Sequence, residues 1–130
     1  MRNSKQVPKP TNAELEILSV LWEFGSSTVR FVNEQLNERR EVGYTTTLKF
    51  LQIMSEKGLV SRNTDGRTHI YEAVFKQEQI QDQLINKLVD TAFGGSAQKL
   101  VIQALGNSKS SHEELEAIKK LIDELEGGKA

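Results

Sequence analysis

The sequence predicts a mainly α fold with a small β-hairpin, in the order of a winged helix-turn-helix domain followed by a helical dimerisation region. Three observations predict it. Apolar residues recur at helical spacing in three segments before residue 58, an Asp65-Gly66 pair then sits between two β-favouring runs, and helical spacing returns from residue 77 onward.

Residues 1–10 are polar and basic, with Pro8 and Pro10, and read as a flexible arm. Thr11-Asn-Ala-Glu14 is a capping box, in which the threonine hydroxyl accepts from the Glu14 N–H and the glutamate reaches back. Leu15, Leu18, Leu21 and Trp22 follow at helical spacing, which predicts a first helix over 12–24 stopped by Gly25. Ser26-Ser27 precedes a second helix over about 28–39, with Val29, Val32 and Leu36 on one face. The polar stretch 38–43 reads as a loop. A third helix over 45–57 buries Leu48, Leu51 and Met54 and stops at Gly58.

The period then changes. Residues 59–63 form a short strand, 64–67 a turn and 69–75 a second strand, since an Asp-Gly pair supplies the positive φ that a tight hairpin demands. From 76 onward Ile80, Leu84, Leu88 and Val89 form a stripe ending at Phe93-Gly94-Gly95. Leu100, Val101 and Leu105 mark a shorter helix. A second capping box, Ser111-His-Glu-Glu114, opens a last helix with Leu115, Ile118, Leu121, Ile122 and Leu125. The domains read from this pattern are 11–76 and 77–127.

A chain of 130 residues holds one core-bearing domain and a smaller appended element. Its 37% hydrophobic and 27% charged residues are those of an ordinary globular protein. With no cysteine there is no disulfide, thiolate metal site or cysteine nucleophile. The first residues lack an apolar signal core and no apolar run is long enough to span a membrane, so a cytoplasmic location without membrane insertion is expected. Charge is neutral on function. Residues 1–80 carry 11 basic against 10 acidic side chains and 81–130 carry 6 against 8, so any DNA affinity must come from local clustering. His69 and His112 have no metal-pair spacing, and no nucleophile elbow or phosphate-cradling glycine loop is present. No enzyme, metal site or cofactor is expected.

The candidate DNA-binding residues lie on the third helix and the hairpin. Thr45, Thr46 and Lys49 fall on the face opposite the core stripe, at the end that enters a major groove, and Tyr44 at the helix start is placed to donate to a phosphate. The bland reading is that the three threonines are a capping run and Lys49 a solvated charge. Arg62 and Arg67 are assigned to the hairpin tip, where a wing meets the negative potential of a minor groove. Arg39 and Arg40 can add phosphate contacts, or be neutralised by Glu38 and Glu41. The tail helices cannot bury their apolar faces alone, so Leu84, Leu88, Phe93, Leu100, Val101, Leu105, Leu115, Ile118, Leu121, Ile122 and Leu125 are assigned to a homodimer interface. A winged helix used only for protein interaction remains the alternative from another functional class.

Glu14-Leu-Glu-Ile-Leu-Ser-Val-Leu-Trp-Glu23, the block Tyr44–Val60 and Asp65-Gly-Arg-Thr-His-Ile-Tyr71 together resemble the penicillinase-repressor family of winged-helix regulators, of the BlaI/MecI/CopY type. The likeness covers about 11–75, and the helical tail agrees in layout. It implies a cytoplasmic homodimer that represses a palindromic double-stranded DNA operator. It also implies a membrane-anchored sensor protease as a partner, cutting an Asn-Phe bond in a tail helix. Here Gln103-Ala104 stands at that position, so Gln103 and Ala104 mark the cleavage point only by alignment. The clustered cysteines of copper-sensing members are absent, and Ile53 replaces a side chain that is often basic in the family.

Overall fold

The computed structural model describes residues 7–127. Along them run α1 (Asn12–Phe24), β1 (Ser27–Thr28), α2 (Val29–Leu36), α3 (Tyr44–Lys57), β2 (Val60–Asp65), β3 (Thr68–Ala73), α4 (Gln77–Thr91), α5 (Ala97–Asn107) and α6 (His112–Gly127). The chain divides into two compact units, one ending at Asn86 and one starting at Lys87. That division falls inside α4 rather than before it. Ile80 is buried in the core of the first unit and Leu84 packs against that core, so the first turns of α4 belong to the winged unit. Leu84, assigned from the sequence to a dimer seam, is thus occupied at least in part by its own domain.

The core of the first unit is built from one stripe of each helix. Ile17, Leu18 and Leu21 come from α1, Val32 and Leu36 from α2, Leu51 and Met54 from α3, and they close on Leu59, Val60, Tyr71 and Phe75. Leu15, Trp22 and Leu48, expected inside, are only partly buried at its edge. Trp22 uses that position, donating its indole N–H to the Phe75 carbonyl at 3.0 Å and tying the end of α1 to the chain after the wing.

The wing has three strands, not two. β1, too short to leave a period-2 signature, pairs antiparallel with β3 through Ser27↔Tyr71 and Thr28↔Ile70, giving the order β1-β3-β2. The β2–β3 ladder continues to Asp65↔Thr68, so the turn shrinks from the expected four residues to Gly66-Arg67. Gly66 has φ +70°, a left-handed value that a β-carbon disfavours.

Two polar devices position α3. The first is a latch on the α2–α3 loop. Asn37 accepts from the Val42 N–H at 3.1 Å, and Asn33 and Asn37 both donate to the Val42 carbonyl at 2.9 Å. Asn33 also donates to the Thr47 hydroxyl at 2.9 Å, and that hydroxyl donates in turn to the Gly43 carbonyl at 3.3 Å. Thr47 therefore occupies a fully buried position beside Leu51 with its hydroxyl satisfied.

The second device joins α1 to the far end of α3. Glu14 completes the expected capping box, accepting from the Thr11 N–H at 2.9 Å while its own N–H donates to the Thr11 hydroxyl at 3.2 Å. The same carboxylate is buried and accepts from Lys57 Nζ at 2.7 Å. Burial acts to raise the Glu14 carboxyl, but the Lys57 and Thr11 hydrogen bonds outweigh it and hold it below the usual carboxylate value.

In the second unit, α6 starts on the expected capping box, with Ser111 N–H to Glu114 at 2.8 Å and Glu114 N–H to the Ser111 hydroxyl at 3.0 Å. Neither α5 nor α6 contains a buried residue.

Because the Glu14 group is depressed in the folded state, its stabilisation is present above the ordinary carboxylate range and is lost as pH falls through it. Glu14→Gln should lower unfolding free energy at neutral pH by about 1–3 kcal/mol and flatten the acid limb of a stability-versus-pH curve, measured by urea denaturation. Asn33→Ala should cost about 1–2 kcal/mol in the same assay and speed amide exchange in the first turn of α3, since it leaves Thr47 and Val42 short of a partner.

Candidate nucleic-acid interface

The α3 helix shows solvent a polar face opposite its buried row. Thr47, Leu51 and Met54 point inward, and Tyr44, Thr45, Thr46 and Lys49 are exposed, Tyr44 at 51%. The capping-run reading of the threonines does not describe this helix. Its N-cap is Gly43, which has no side chain to spend on the helix start, and the threonine that does hydrogen-bond, Thr47, faces the core. The Thr47 N–H is bonded to the Gly43 carbonyl, whereas the N–H groups ahead of it lie in the first turn, where no intrahelical carbonyl is available. Such a turn favours an anion such as a phosphate.

The same face continues beyond the residues picked out from sequence. Gln52, Ile53 and Glu56 are also exposed. Gln52 repeats the Lys49 position one turn on, and that i, i+3 spacing is a signal the sequence contained.

The two wing arginines are not at one place. Arg67 stands in the turn, where it lines a cleft of about 430 Å³ with Tyr44, Thr28, Arg30 and His69. The start of α2, the start of α3 and the wing thus contribute Arg30, Tyr44 and Arg67 to one cleft. Neither Arg30 nor His69 is among the DNA-binding candidates of the sequence. Arg62 instead sits on β2 opposite Tyr71, away from the tip, in a separate polar cleft with Gln52, Ser55 and Glu56. The reason is the ladder itself, which runs three residue pairs past Arg62 before the chain turns.

Arg40 is already engaged, but not by its sequence neighbours. Its guanidinium pairs with Glu16 on α1, whose carboxyl it holds below the usual range. The side chains of this pair are partly exposed, so it adds little stability. It does remove one of the two loop arginines from the cations on offer to a phosphate. His69 lies 3.1 Å from the Thr64 hydroxyl through Nδ1, within the hairpin. Among the described residues, no group of three or more histidine, cysteine or acidic side chains is arranged to hold a metal, and no helix is long and apolar enough to cross a membrane.

Residues 10–124 match the family model of the penicillinase repressor. The chain is 30% identical over 117 residues to the transcriptional regulator BlaI of Mycobacterium tuberculosis, covering 88% of this chain and 83% of that protein. It is 22% identical over 120 residues to the penicillinase repressor of Bacillus licheniformis, covering 92% and 94%. The solution structure of the monomeric form of Bacillus licheniformis BlaI in complex with the blaP half-operator aligns with a TM-score of 0.50 and 24% identity, over 58% of this chain and 92% of that one. That likeness supports the winged-helix fold. With the family match spanning both units, the chain belongs to the penicillinase repressor family, a family of transcriptional repressors and not of enzymes.

Proposed function

We propose that this protein is a sequence-specific repressor that binds a palindromic DNA operator as a homodimer in the cytoplasm. The observation that carries the reading is the outer face of α3, where Thr45, Thr46 and Lys49 stand exposed beside a cleft that joins Tyr44 to Arg67. A helix with this face seats its first turns in a major groove, while the tyrosine hydroxyl and Arg67 hold the flanking backbone. Arg62, placed on the strand beside Glu56, has a lesser part than Arg67. The solved half-operator complex of the Bacillus licheniformis relative supports DNA as the ligand.

The second unit supports the dimer. Leu121, Ile122 and Leu125 are about half exposed, Leu88, Val101, Leu105 and Leu115 are exposed, and Phe93, Leu100 and Ile118 are only partly buried. Monomers seldom leave so many large apolar side chains in water. On α6, Leu115, Ile118, Ile122 and Leu125 follow the 3-4-3 spacing of a helix–helix seam. A symmetric partner covers them and brings two copies of α3 to half-sites about one helical turn of DNA apart. Gln103 and Ala104 are exposed on α5 but helical, so a sensor protease acting there must first unwind that helix.

A gel shift of the full chain on the DNA upstream of its own gene, with excess competitor DNA, tests the reading, and absence of a specific shift leaves the protein-interaction role instead. Lys49→Ala should weaken specific binding about tenfold and lower the salt slope by about 1, measured by fluorescence titration. Unchanged affinity and slope would remove Lys49 from the interface. Leu121→Asp and Leu125→Asp should sediment as monomers at micromolar concentration with weakened operator binding. A wild-type chain that is already monomeric there contradicts the dimer.

A further inference from the structure

The exposed face of α3 extends past the residues assigned to DNA anchoring, through Gln52, Ile53 and Glu56. Positions 45, 49, 52 and 56 repeat at i, i+4, i+7 and i+11, which places them along one line of an α-helix, opposite the buried line of Thr47, Leu51 and Met54. Ile53 stands beside that line and is 38% exposed, although it is the kind of side chain that cores collect. Among the described residues Gln52 is exposed, makes no side-chain hydrogen bond and lines a polar cleft with Ser55, Glu56 and Arg62, so its amide is accessible to a ligand. Neither residue belongs to the buried core, and neither carries the charge that a phosphate contact uses.

Resting on the reading of α3 as the helix that enters the major groove, we propose that Gln52 and Ile53 are specificity residues for one A·T-containing step of the half-site, Gln52 reading an adenine and Ile53 a thymine methyl. A primary amide presents a donor and an acceptor side by side, which matches adenine N6 and N7 in a bidentate pair. An exposed branched alkyl group finds its one apolar complement in the major groove at the thymine C5 methyl. Glu56 argues for where the contact ends. A carboxylate one turn beyond Gln52 is repelled by the phosphate walls, so the helix leaves the groove after Ile53. The readers then form a short row: Thr45 and Thr46 at the tip, Lys49 next, and Gln52 with Ile53 last, where the helix leaves the groove.

The experiment is in vitro selection from a pool of random-sequence duplex DNA with the full-length protein, followed by titration of the selected duplex. Wild type should enrich a half-site with a fixed adenine at the Gln52 position. Gln52→Ala should lose preference at that base pair alone, by about tenfold, and Gln52→Glu should shift it toward cytosine, whose N4 amino group a carboxylate accepts. Replacing the assigned thymine by deoxyuridine, which lacks only the methyl, should weaken wild type several-fold and leave Ile53→Ala unaffected. Both residues are exposed, so unchanged thermal unfolding of the variants confirms an intact fold. If wild type enriches a half-site and the Gln52 variants select the same one, the assignment is wrong and the repressor reading stands. If wild type enriches no sequence, the sequence-specific reading fails and takes this assignment with it.

Discussion

The surface offered to DNA depends on how one loop is held. Val42, between α2 and α3, has its N–H and its carbonyl both bonded to asparagine side chains, Asn33 on α2 and Asn37 capping its C-terminus, while its own side chain is buried. A backbone unit this constrained fixes where the chain restarts as a helix, and so fixes the angle of α3 against α2. The second amide contact of Asn33, to Thr47, then sets the rotation of α3 about its own axis. With Thr47 turned inward, Thr45 and Lys49 must face outward, because the helical repeat leaves no other choice. Buried polar contacts of this kind add modest net stability but leave costly orphans when misaligned, so they select one geometry more than they deepen the energy well.

The near-zero net charge is reconciled with a DNA-binding face by the way cations are allocated. Lys57 is committed to the buried Glu14 carboxylate and Arg40 to Glu16, so two of the cations near α3 serve the joint between α1 and the helix-turn-helix. Lys49 and Arg67 stand instead around the start of α3 and the turn of the wing, and Arg30, at the start of α2, meets among the described residues only the exposed Glu34 at 3.9 Å. The anionic tail residues belong largely to the other unit. What matters for a phosphate is this local arrangement, since screening limits the reach of the rest to about 8–10 Å.

The two units have different physical bases. The first holds a closed core, with Ile17, Leu18, Val32, Leu51, Met54 and Ile80 almost entirely removed from water. The second has helices with good caps and apolar stripes but no buried residue in α5 or α6. Caps and propensity alone leave helices of this length marginal in water. Under the proposed dimer, folding of this unit is coupled to its assembly.

The sequence by itself determined the helix order, both capping boxes, the α1 boundaries at Asn12–Phe24 and the outward set Tyr44, Thr45, Thr46 and Lys49. These follow from short-range rules: an apolar period, a hydroxyl three residues before a glutamate, a glycine at a stop. Tertiary structure decided the rest, because each remaining feature depends on a partner distant in sequence. Two-residue β1 exists only because β3 passes beside it, and Asn33 is a latch only because Val42 and Thr47 come within reach. Lys57 finds Glu14 across 43 positions of chain, and Arg40 finds Glu16 across 24. The length of the β2–β3 ladder separates Arg62 from Arg67, and packing of Ile80 and Leu84 carries the first domain into α4. Local spacing tells which side of a helix faces out; only the folded chain tells what that side faces.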